Sequence, residues 1–396
     1  MKEQIAAAPE QTDFSLVLGG PLYQLFLRAG MVKPSMALLQ RRILVIALVT
    51  WLPLAVLTVL GGGFLGGVGV PFLYDIDVHV RFLVALPMLI VAELVVHSRL
   101  RVVVAQFRER NLIAPEDRAS FENIISGTMR LRNSLTMEIM LLVVSFTAFY
   151  WVWRSQVSID VATWYAAATH DAISFTWAGY WYVFVAVPIF RFILLRWYFR
   201  LFIWYVFLFR VSRLRLQLEV LHPDKAGGLG FLSASVDAIS PVLFAQSAFV
   251  AGVIANQIWH AGATLPEFKV LIAGVAVFLM LLVLLPLTFF ALPMAAAKRA
   301  ALPVYGTFAA RYVSEFRQKW LHSPQSRDRQ LLGSQDIQSL ADLANGYAVA
   351  QDMNVLPFGR NVIVRVVIVI ALPLLPLALT MFPFEVILQQ LIKIVI

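Results

Sequence analysis

Residues 177–232 read WAGYWYVFVAVPIFRFILLRWYFRLFIWYVFLFRVSRLRLQLEVLHPDKAGGLGFL, and this stretch decides the fold of the chain. Its first part, Trp177 to about Trp197, is apolar over the ~20 residues that a helix needs to cross a ~30 Å hydrocarbon layer. An aromatic segment with several arginines follows without a helix breaker, until the turn HPDKAGGLGFL. The side on which this unit enters and leaves a bilayer fixes the direction of every other segment.

The composition is that of a membrane protein. Of the 396 residues, 60% are hydrophobic and only 14% are charged, with a mean hydropathy of +0.79. Soluble domains average about 45–50% apolar and about 25% charged residues. The net charge of +9 lies in the connections between apolar runs, as membrane insertion requires, so we expect no nucleic-acid partner. The absence of cysteine excludes disulfides, thiolate metal sites and cysteine nucleophiles.

Apolar runs of membrane-spanning length recur along the chain. We therefore predict an all-α, polytopic integral membrane bundle with about seven transmembrane helices. The predicted spans are 43–61, 81–98, 135–153, 177–197, 237–259, 269–294 and 362–381.

These spans divide the chain into four parts. The parts are a tail with an interfacial helix (1–42), a six-span bundle (43–294), a helical segment (295–360), and a seventh span with an amphipathic outer tail (361–396). Two further helices, at 101–133 and 198–232, are expected to pack with 295–360 as a small cytoplasmic layer. The second of these continues the fourth span, which we predict to extend beyond the membrane as a long rod.

Basic residues are distributed very unevenly between the two sides of the predicted bundle. Residues 1–42, 99–135, 196–236 and 295–360 hold five, seven, six and eight Lys or Arg residues, respectively. The connections 62–80, 155–176 and 260–268 hold none. Because positive charge stays on the cytoplasmic side, this asymmetry predicts a cytoplasmic N-terminus, an extracytoplasmic C-terminus and a location in the inner membrane.

Ionisable residues inside the predicted spans are the main candidates for function, because such groups are costly in lipid. Glu93 and Arg191 lie at matching depth in the second and fourth spans, so a Glu93–Arg191 pair is expected. Together with Glu138 and Arg365 they form a gate or coupled proton site, or else a structural ion-pair layer that locks the helices. The candidates for an ion pathway or gate are Glu93, Arg191, Glu138, Arg365, Asn256 and Gln257.

The glycine-rich turn that follows the fourth span has two interpretations. Its backbone N–H groups, beside a lysine, form a cradle for a lipid phosphate or another anion. Alternatively, the glycines serve only to form a tight turn. The residues concerned are His222, Asp224, Lys225, Gly227, Gly228 and Gly230.

Histidines on the opposite side are weak candidates for a zinc site. His79, His170 and His260 fall in three different connections, together with Asp75 and Asp77. No two of these ligands have a recognisable metal-binding spacing, so no metal or other cofactor is expected.

No catalytic signature is present, and we therefore expect a non-enzymatic protein. The leading hypothesis is a homo-oligomeric channel or pore that conducts or gates an ion or small solute. The alternatives are a scaffold or signalling subunit that binds a cytoplasmic protein on 295–360, a secondary transporter, or a lipid-acting enzyme that uses the His222–Gly230 turn. The lipid bilayer is the one partner common to all of them.

Overall fold

The chain folds as a helical bundle. The computed structural model describes residues 14–20, 39–156, 163–169, 172–322 and 335–381. It is 81% helical with almost no strand, which confirms the predicted all-α class. The predicted interfacial helix after Pro21 and the amphipathic tail after Met381 lie outside the described residues.

Nine helices and one small hairpin make up the described part of the chain. The helices are α1 (Leu39–Leu60), α2 (Ile76–Glu109), α3 (Arg118–Arg132), α4 (Leu135–Gln156), α5 (Trp177–Val211), α6 (Ser233–Ala261), α7 (Leu265–His322), α8 (Gln335–Asp352) and α9 (Arg360–Met381). The hairpin pairs β1 (Ala166–Thr169) with β2 (Ala172–Phe175) in antiparallel register.

Six helices of the described chain are long and apolar enough to cross a membrane, namely α1, α2, α5, α6, α7 and α9. Helix α4 coincides with the third predicted span and carries a shorter apolar stretch, Leu135–Thr147. The multi-pass bundle is therefore established, whereas the seventh crossing stays a prediction.

Helices α2 and α6 form the centre of the bundle and run antiparallel. Gly252 of α6 lets the two backbones approach, since a Cβ placed there would lie 3.0 Å from the Cβ of Val80. At the opposite end, the rings of Phe107 and Phe231 meet with centroids 5.2 Å apart. Small residues commonly permit such close packing between membrane helices. The α2–α6 pair is thus the rigid frame on which the other helices lie.

Helices α2 and α5 each contain one widened, π-helical turn at the same end of the bundle. The turns are Val80–Ala85 in α2 and Tyr182–Ala186 in α5. Each is followed within two residues by a proline, Pro87 or Pro188, which cannot donate the backbone hydrogen bond that a regular turn needs. The two irregular turns face a buried polar cluster described below.

Helix α5 differs from the predicted rod in length and in depth. It ends at Val211, and the following segment is not helical: Arg215 and Gln217 exchange backbone hydrogen bonds with Ala114 and Leu112. Trp197, the end of the predicted fourth span, is instead only 1% exposed and donates to the Leu89 carbonyl at 2.9 Å. A tryptophan in a long apolar helix can face the bundle core as readily as the interface.

The depth of α5 follows from its contacts with α7. Tyr205 Oη donates to the carbonyls of Leu281 and Leu282 at 3.2 and 2.8 Å. Leu281 lies twelve residues, or about 18 Å, from Lys269 at the start of the apolar run of α7. Because the hydrocarbon layer is about 30 Å thick, Tyr205 also lies at hydrocarbon depth. The membrane-spanning part of α5 therefore extends past Arg196 and Arg200, and the helix leaves the membrane near Arg210.

The segment before α1 is partly buried. Phe14, Leu16 and Val17 are each at most 3% exposed, and the Phe14 ring packs against Trp204 and Phe207 of α5. Ser15 joins it to the bundle through a 2.9 Å hydrogen bond between its Oγ and His97 Nδ1. Residues 14–17 thus belong to the core.

The predicted helical layer at 295–360 is built by α7 and α8. Helix α7 is continuous from its membrane part to His322. The sequence predicted instead a span that ends at residue 294 and a separate helical segment after it. Asp336 of α8 ties the pair together, accepting from Trp320 Nε1 at 3.0 Å and, through its carbonyl, from Tyr312 Oη at 3.1 Å. A helical hairpin therefore projects from the bundle.

Candidate functional site

Three arginines surround the carboxylate of Glu93 in the interior of the bundle. Arg42 of α1 donates to Glu93 at 2.5 Å, Arg200 of α5 lies 2.8 Å away, and Arg196 lies 3.9 Å away. All four side chains are more than nine-tenths buried. One carboxylate of α2 thus holds α1 and α5 in place through charge-assisted contacts.

Glu138 extends this arrangement to α4. Arg196 lies 3.4 Å from the Glu138 carboxylate as well as near Glu93, so it bridges the two acids. We call Arg42, Glu93, Glu138, Arg196 and Arg200 the inner cluster. It joins α1, α2, α4 and α5 at one level inside the membrane-spanning region.

The inner cluster is covered by the segment 14–20. Arg132 of α3 donates to the Ser15 carbonyl at 2.5 Å. A Cβ on Gly19 would lie 2.3 Å from Arg132 Nη2, and one on Gly20 would lie 2.9 Å from Glu138 Oε1. Burial and the neighbouring charge of Arg200 lower the pKa of Arg132 to about 10. The N-terminal segment thus lies directly over the charged layer.

The inner cluster encloses very little free space. Its cavity has a volume of about 20 Å³ and is lined by the cluster arginines, Glu93 and the side chains of Ile46, Ile90 and Ile193. This volume is close to the minimum that holds one water molecule. The arrangement is therefore closed to any larger solute.

The predicted partners of Glu93 differ from those observed. The expected Glu93–Arg191 pair is not formed, and Glu93 binds Arg42, Arg196 and Arg200 instead. Arg191 lies closer to the start of α5 than Arg196 and Arg200, and its electrostatic neighbours include Arg81 and Tyr182. The rotation and tilt of α5 decide which arginine faces α2, and matching depth alone does not specify them.

Arg365 also lies apart from the inner cluster. It pairs with Asp237 of α6 at 3.1 Å, and its side chain is half exposed. Of the four charges that the sequence placed in one layer, the structure brings together only Glu93 and Glu138. Arg42 and Arg196 lie at the edges of apolar runs, and Arg200 lies beyond the predicted end of the fourth span. For this reason none of the three was predicted to be a charge within the membrane.

A second buried cluster occupies the start of α2. Arg81 forms an ion pair with Asp77 one helical turn earlier and donates to Tyr182 Oη at 2.9 Å. The guanidinium of Arg81 also lies 5.0 Å from the centroid of the Phe249 ring, a cation–π distance. With Asp75, these residues form the outer cluster, defined as Asp75, Asp77, Arg81 and Tyr182.

Asp75 connects the outer cluster to the hairpin region. Its carboxylate accepts from Trp164 Nε1 at 2.8 Å and from the backbone N–H of Val78 at 3.3 Å. Burial and, to a lesser extent, the nearby charge of Asp77 raise the pKa of Asp75 above its ordinary value. The i, i+4 spacing of Asp77 and Arg81 is the sequence signal from which this cluster could have been predicted.

Further polar side chains of α5 and α6 form hydrogen bonds in the core, and Tyr198 lies between Arg196 and Arg200 of the inner cluster along α5. Tyr198 Oη donates to Gln246 Oε1, and Ser247 Oγ donates to the Ile370 carbonyl at 2.5 Å. The Gln246 amide nitrogen is buried and has no hydrogen-bond partner within the described residues. We call Tyr198, Gln246 and Ser247 the polar track, which adds hydrogen-bonded groups of α5 and α6 to the core.

The two polar residues of α6 selected from the sequence do not join this track. Asn256 accepts from the backbone N–H of Ile76 at 3.2 Å and so fixes the start of α2. Gln257 is exposed. Asn256 thus acts as a hydrogen-bonded link between helices, as polar residues in membrane bundles commonly do.

The His222–Gly230 turn supplies its own anion. The Asp224 carboxylate accepts from the backbone N–H groups of Ala226, Gly228 and Gly230 at 2.8, 3.2 and 2.9 Å. Partial burial opposes the charge, but these hydrogen bonds prevail and lower the pKa of Asp224 below its ordinary value.

The other groups of this turn also have partners within the chain. Lys225 pairs with Asp352 at 2.9 Å, and His222 Nδ1 lies 2.9 Å from Asp224. Gly227 and Gly228 adopt φ of +65° and +90°, which favour glycine. Of the glycine donors in the predicted phosphate cradle, those of Gly228 and Gly230 are therefore occupied.

The histidines considered for zinc are engaged in hydrogen bonds. His79 Nδ1 lies 3.0 Å from Trp51 Nε1 and its Nε2 lies 3.1 Å from the Leu73 carbonyl. His260 Nε2 lies 2.9 Å from the Tyr74 carbonyl, whereas His170 lies outside the described residues. Among the residues that are described, no group of three His, Asp or Glu side chains is placed to bind a metal.

Comparison with known proteins adds no further constraint. No protein-family model, curated protein or solved structure matches this chain. What the structure shows is an integral membrane protein, a helical bundle of all-α fold that crosses the membrane several times. Its function is therefore argued from the two buried charge clusters.

Proposed function

We propose that this protein is an oligomeric channel or pore that conducts or gates an ion or small solute, with the inner cluster as its closed gate. The observation that carries the proposal is a layer of five buried charges contributed by four helices of the bundle. Charges at such depth are costly and mark ion pathways in membrane proteins. The one-water cavity at their centre fits a gate in its closed state.

The polar track supports the same proposal. An ion that crosses the bundle would meet the outer cluster near the start of α2, and then the inner cluster with the Tyr198–Gln246 pair near the middle of α2. Groups of this kind replace part of the hydration shell that an ion loses in a narrow pathway. Most of the remaining core along α2 and α6 is apolar, so these polar groups mark the favoured route.

A second candidate function, a scaffold or signalling subunit, is favoured by the projecting α7–α8 hairpin. Val304, Phe308 and Leu321 of α7 are each more than half exposed. Exposed apolar side chains of this kind commonly mark protein contacts. In that case the inner cluster is a structural lock, and the protein conducts nothing.

Ion flux from liposomes separates the two candidates. The purified protein is reconstituted, and release of an encapsulated anion and cation is followed separately by fluorescence. We expect Glu93→Gln to raise the flux of one ion several-fold, because the three arginines lose the carboxylate that holds them. Glu122→Gln, at an exposed pair with Arg108, serves as the matched control and leaves the flux unchanged. Flux equal to that of empty liposomes in every variant would reject the channel.

We also propose the orientation with the N-terminus in the cytoplasm, in the inner membrane, on the basis of the basic residues. The chain has no cysteine, so single-cysteine variants can be labelled without background. We expect Glu116→Cys to react with an impermeant thiol reagent only after the cells are opened, and Thr264→Cys to react on intact cells. The reverse pattern would invert the topology.

A further inference from the structure

A groove between α3 and α5 lies outside both clusters. Its volume is about 330 Å³, and one rim carries Arg130 of α3 and Arg210 of α5. The floor is mostly apolar and is formed by Leu131, Ile203 and Val206. The groove therefore combines positive charge with an apolar surface, which is the pattern that an amphiphilic anion requires.

The two arginines at the groove have no acidic partner in the chain as described. Every carboxylate that forms an ion pair among the described residues pairs with another basic side chain. Both Arg130 and Arg210 are exposed. Gly127 lines the groove beside Arg210, since a Cβ at this position would lie at an ordinary contact distance of 3.6 Å from Arg210 Nη1.

The depth of the groove matches the headgroup level of a bilayer. Val206 in its floor directly follows Tyr205, which binds the Leu281 and Leu282 carbonyls inside the apolar part of α7. Arg210 lies one helical turn farther, about 6 Å toward the water. On α5 beside the groove, Phe202 and Phe209 are 56% and 44% exposed and present an apolar surface. Acyl chains can lie along this surface while the headgroup reaches the arginines.

We propose that this groove binds the phosphate of an anionic membrane phospholipid, with Arg130 and Arg210 contacting the headgroup and Ile203 and Val206 contacting its chains. Basic pockets between membrane helices are established sites for anionic headgroups in general. Guanidinium groups suit phosphate because their N–H donors match its oxygens in pairs. The proposal does not depend on ion conduction, since the groove shares no residue with either cluster.

Native mass spectrometry of the full-length protein tests the proposal. The protein is purified in detergent with added phosphatidylglycerol or phosphatidylcholine, and the lipid retained per protomer is counted. We expect one phosphatidylglycerol to be retained by the wild type, and phosphatidylcholine to be lost. The double variant Arg130→Gln/Arg210→Gln is expected to lower phosphatidylglycerol affinity at least about tenfold, as removal of two basic contacts predicts.

Two further variants separate a specific site from general attraction. Arg118→Gln/Arg311→Gln removes the same amount of charge at exposed positions outside the groove, and should retain the lipid. Gly127→Leu fills the groove without changing the charge, and should lose the lipid while circular dichroism shows an unchanged helix content. In a further measurement, inorganic phosphate is added without lipid, and it should not bind at millimolar concentration.

Three outcomes would overturn the proposal. Equal loss of lipid in both arginine double variants would mean that only net charge matters. Undiminished binding in Arg130→Gln/Arg210→Gln, or in folded Gly127→Leu, would place the lipid elsewhere. Tight binding of inorganic phosphate, abolished by Arg130→Gln/Arg210→Gln, would make the ligand a free anion and not a lipid.

Discussion

The two buried clusters hold their charges in different ways. In the inner cluster, arginines from α1 and α5 converge on an acid of α2, so each charge depends on another helix. In the outer cluster, Asp77 and Arg81 belong to the same helix, and Tyr182 and the Phe249 ring complete the surroundings of Arg81. The inner cluster therefore fixes how the helices stand relative to one another, whereas the outer one mainly neutralises a charge locally.

The largest effect is expected from Glu93→Gln. The substitution leaves Arg42, Arg196 and Arg200 with Glu138 as the only carboxylate of the cluster. Breaking a buried ion pair by removing one partner costs about 3–5 kcal/mol. We expect a marked drop in the thermal unfolding midpoint of the detergent-solubilised protein, followed by circular dichroism. Glu122→Gln, at an exposed pair, should change the stability by less than about 1 kcal/mol.

A charge exchange tests which arginine is the true partner of Glu93. We expect Arg200→Glu to recover part of the stability lost in Glu93→Arg, because these two side chains lie 2.8 Å apart. Arg191→Glu should recover none, since Arg191 does not contact Glu93. Rescue by Arg191→Glu alone would restore the pairing predicted from the sequence and contradict the observed rotation of α5.

A smaller effect is expected from Asp77→Asn in the outer cluster. Arg81 keeps its hydrogen bond to Tyr182 and its contact with Phe249, so its charge remains partly compensated. We expect a loss of about 1–3 kcal/mol, measured by the same thermal unfolding. A loss equal to that of Glu93→Gln would remove the difference between the clusters.

These contrasts also show how far the sequence determines the structure. Hydropathy predicts the helices because spanning length is a property of the local sequence, and α5 was located in this way. Side-chain partners depend on helix rotation and tilt, so the pairing of Glu93 with Arg200 could not be predicted from depth. Trp197 was misplaced for the same reason, since aromatic character does not indicate which face of a helix is buried.

The glycine turn shows what could have been predicted but was not. Asp224 precedes Ala226 and Gly228 at the spacing in which an aspartate side chain commonly accepts from nearby backbone N–H groups. This local rule indicates that the cradle is filled by its own carboxylate. By contrast, the burial of Phe14 against Trp204 and Phe207 is a long-range contact that no local pattern signals.

A third and smaller effect is expected at Trp164, which stabilises the outer cluster from outside the spans. Trp164→Phe keeps an aromatic side chain, although a smaller one, and removes the indole N–H that donates the 2.8 Å hydrogen bond to Asp75. We expect a loss of about 1–2 kcal/mol in thermal stability. The same substitution should leave the ion flux from liposomes unchanged. A change in this flux would show that the two clusters are coupled.

The smallest effect is a pH dependence outside the membrane, where backbone N–H groups neutralise Asp224. Its pKa is lower in the folded state than its ordinary value of 3.8, so the charge stabilises the turn above that value. This stabilisation is lost as the pH falls through the folded-state pKa. We expect amide protection of Ala226, Gly228 and Gly230 to fall below about pH 4 in the wild type, by hydrogen exchange corrected for intrinsic rates. Asp224→Asn should already show low protection at pH 6, and an identical profile in both would contradict this role.

The most direct test of the inner cluster as a closed gate is the reactivity of one cysteine beside it. Ile90 lines the small cavity next to Glu93 and is 2% exposed, and the chain has no other thiol. In reconstituted protein, we predict that Ile90→Cys does not react with a small charged thiol reagent while Glu93 is present, and reacts at least tenfold faster with Glu93→Gln. Equal, slow reaction in both folded variants would contradict the gate and leave the cluster as a structural lock.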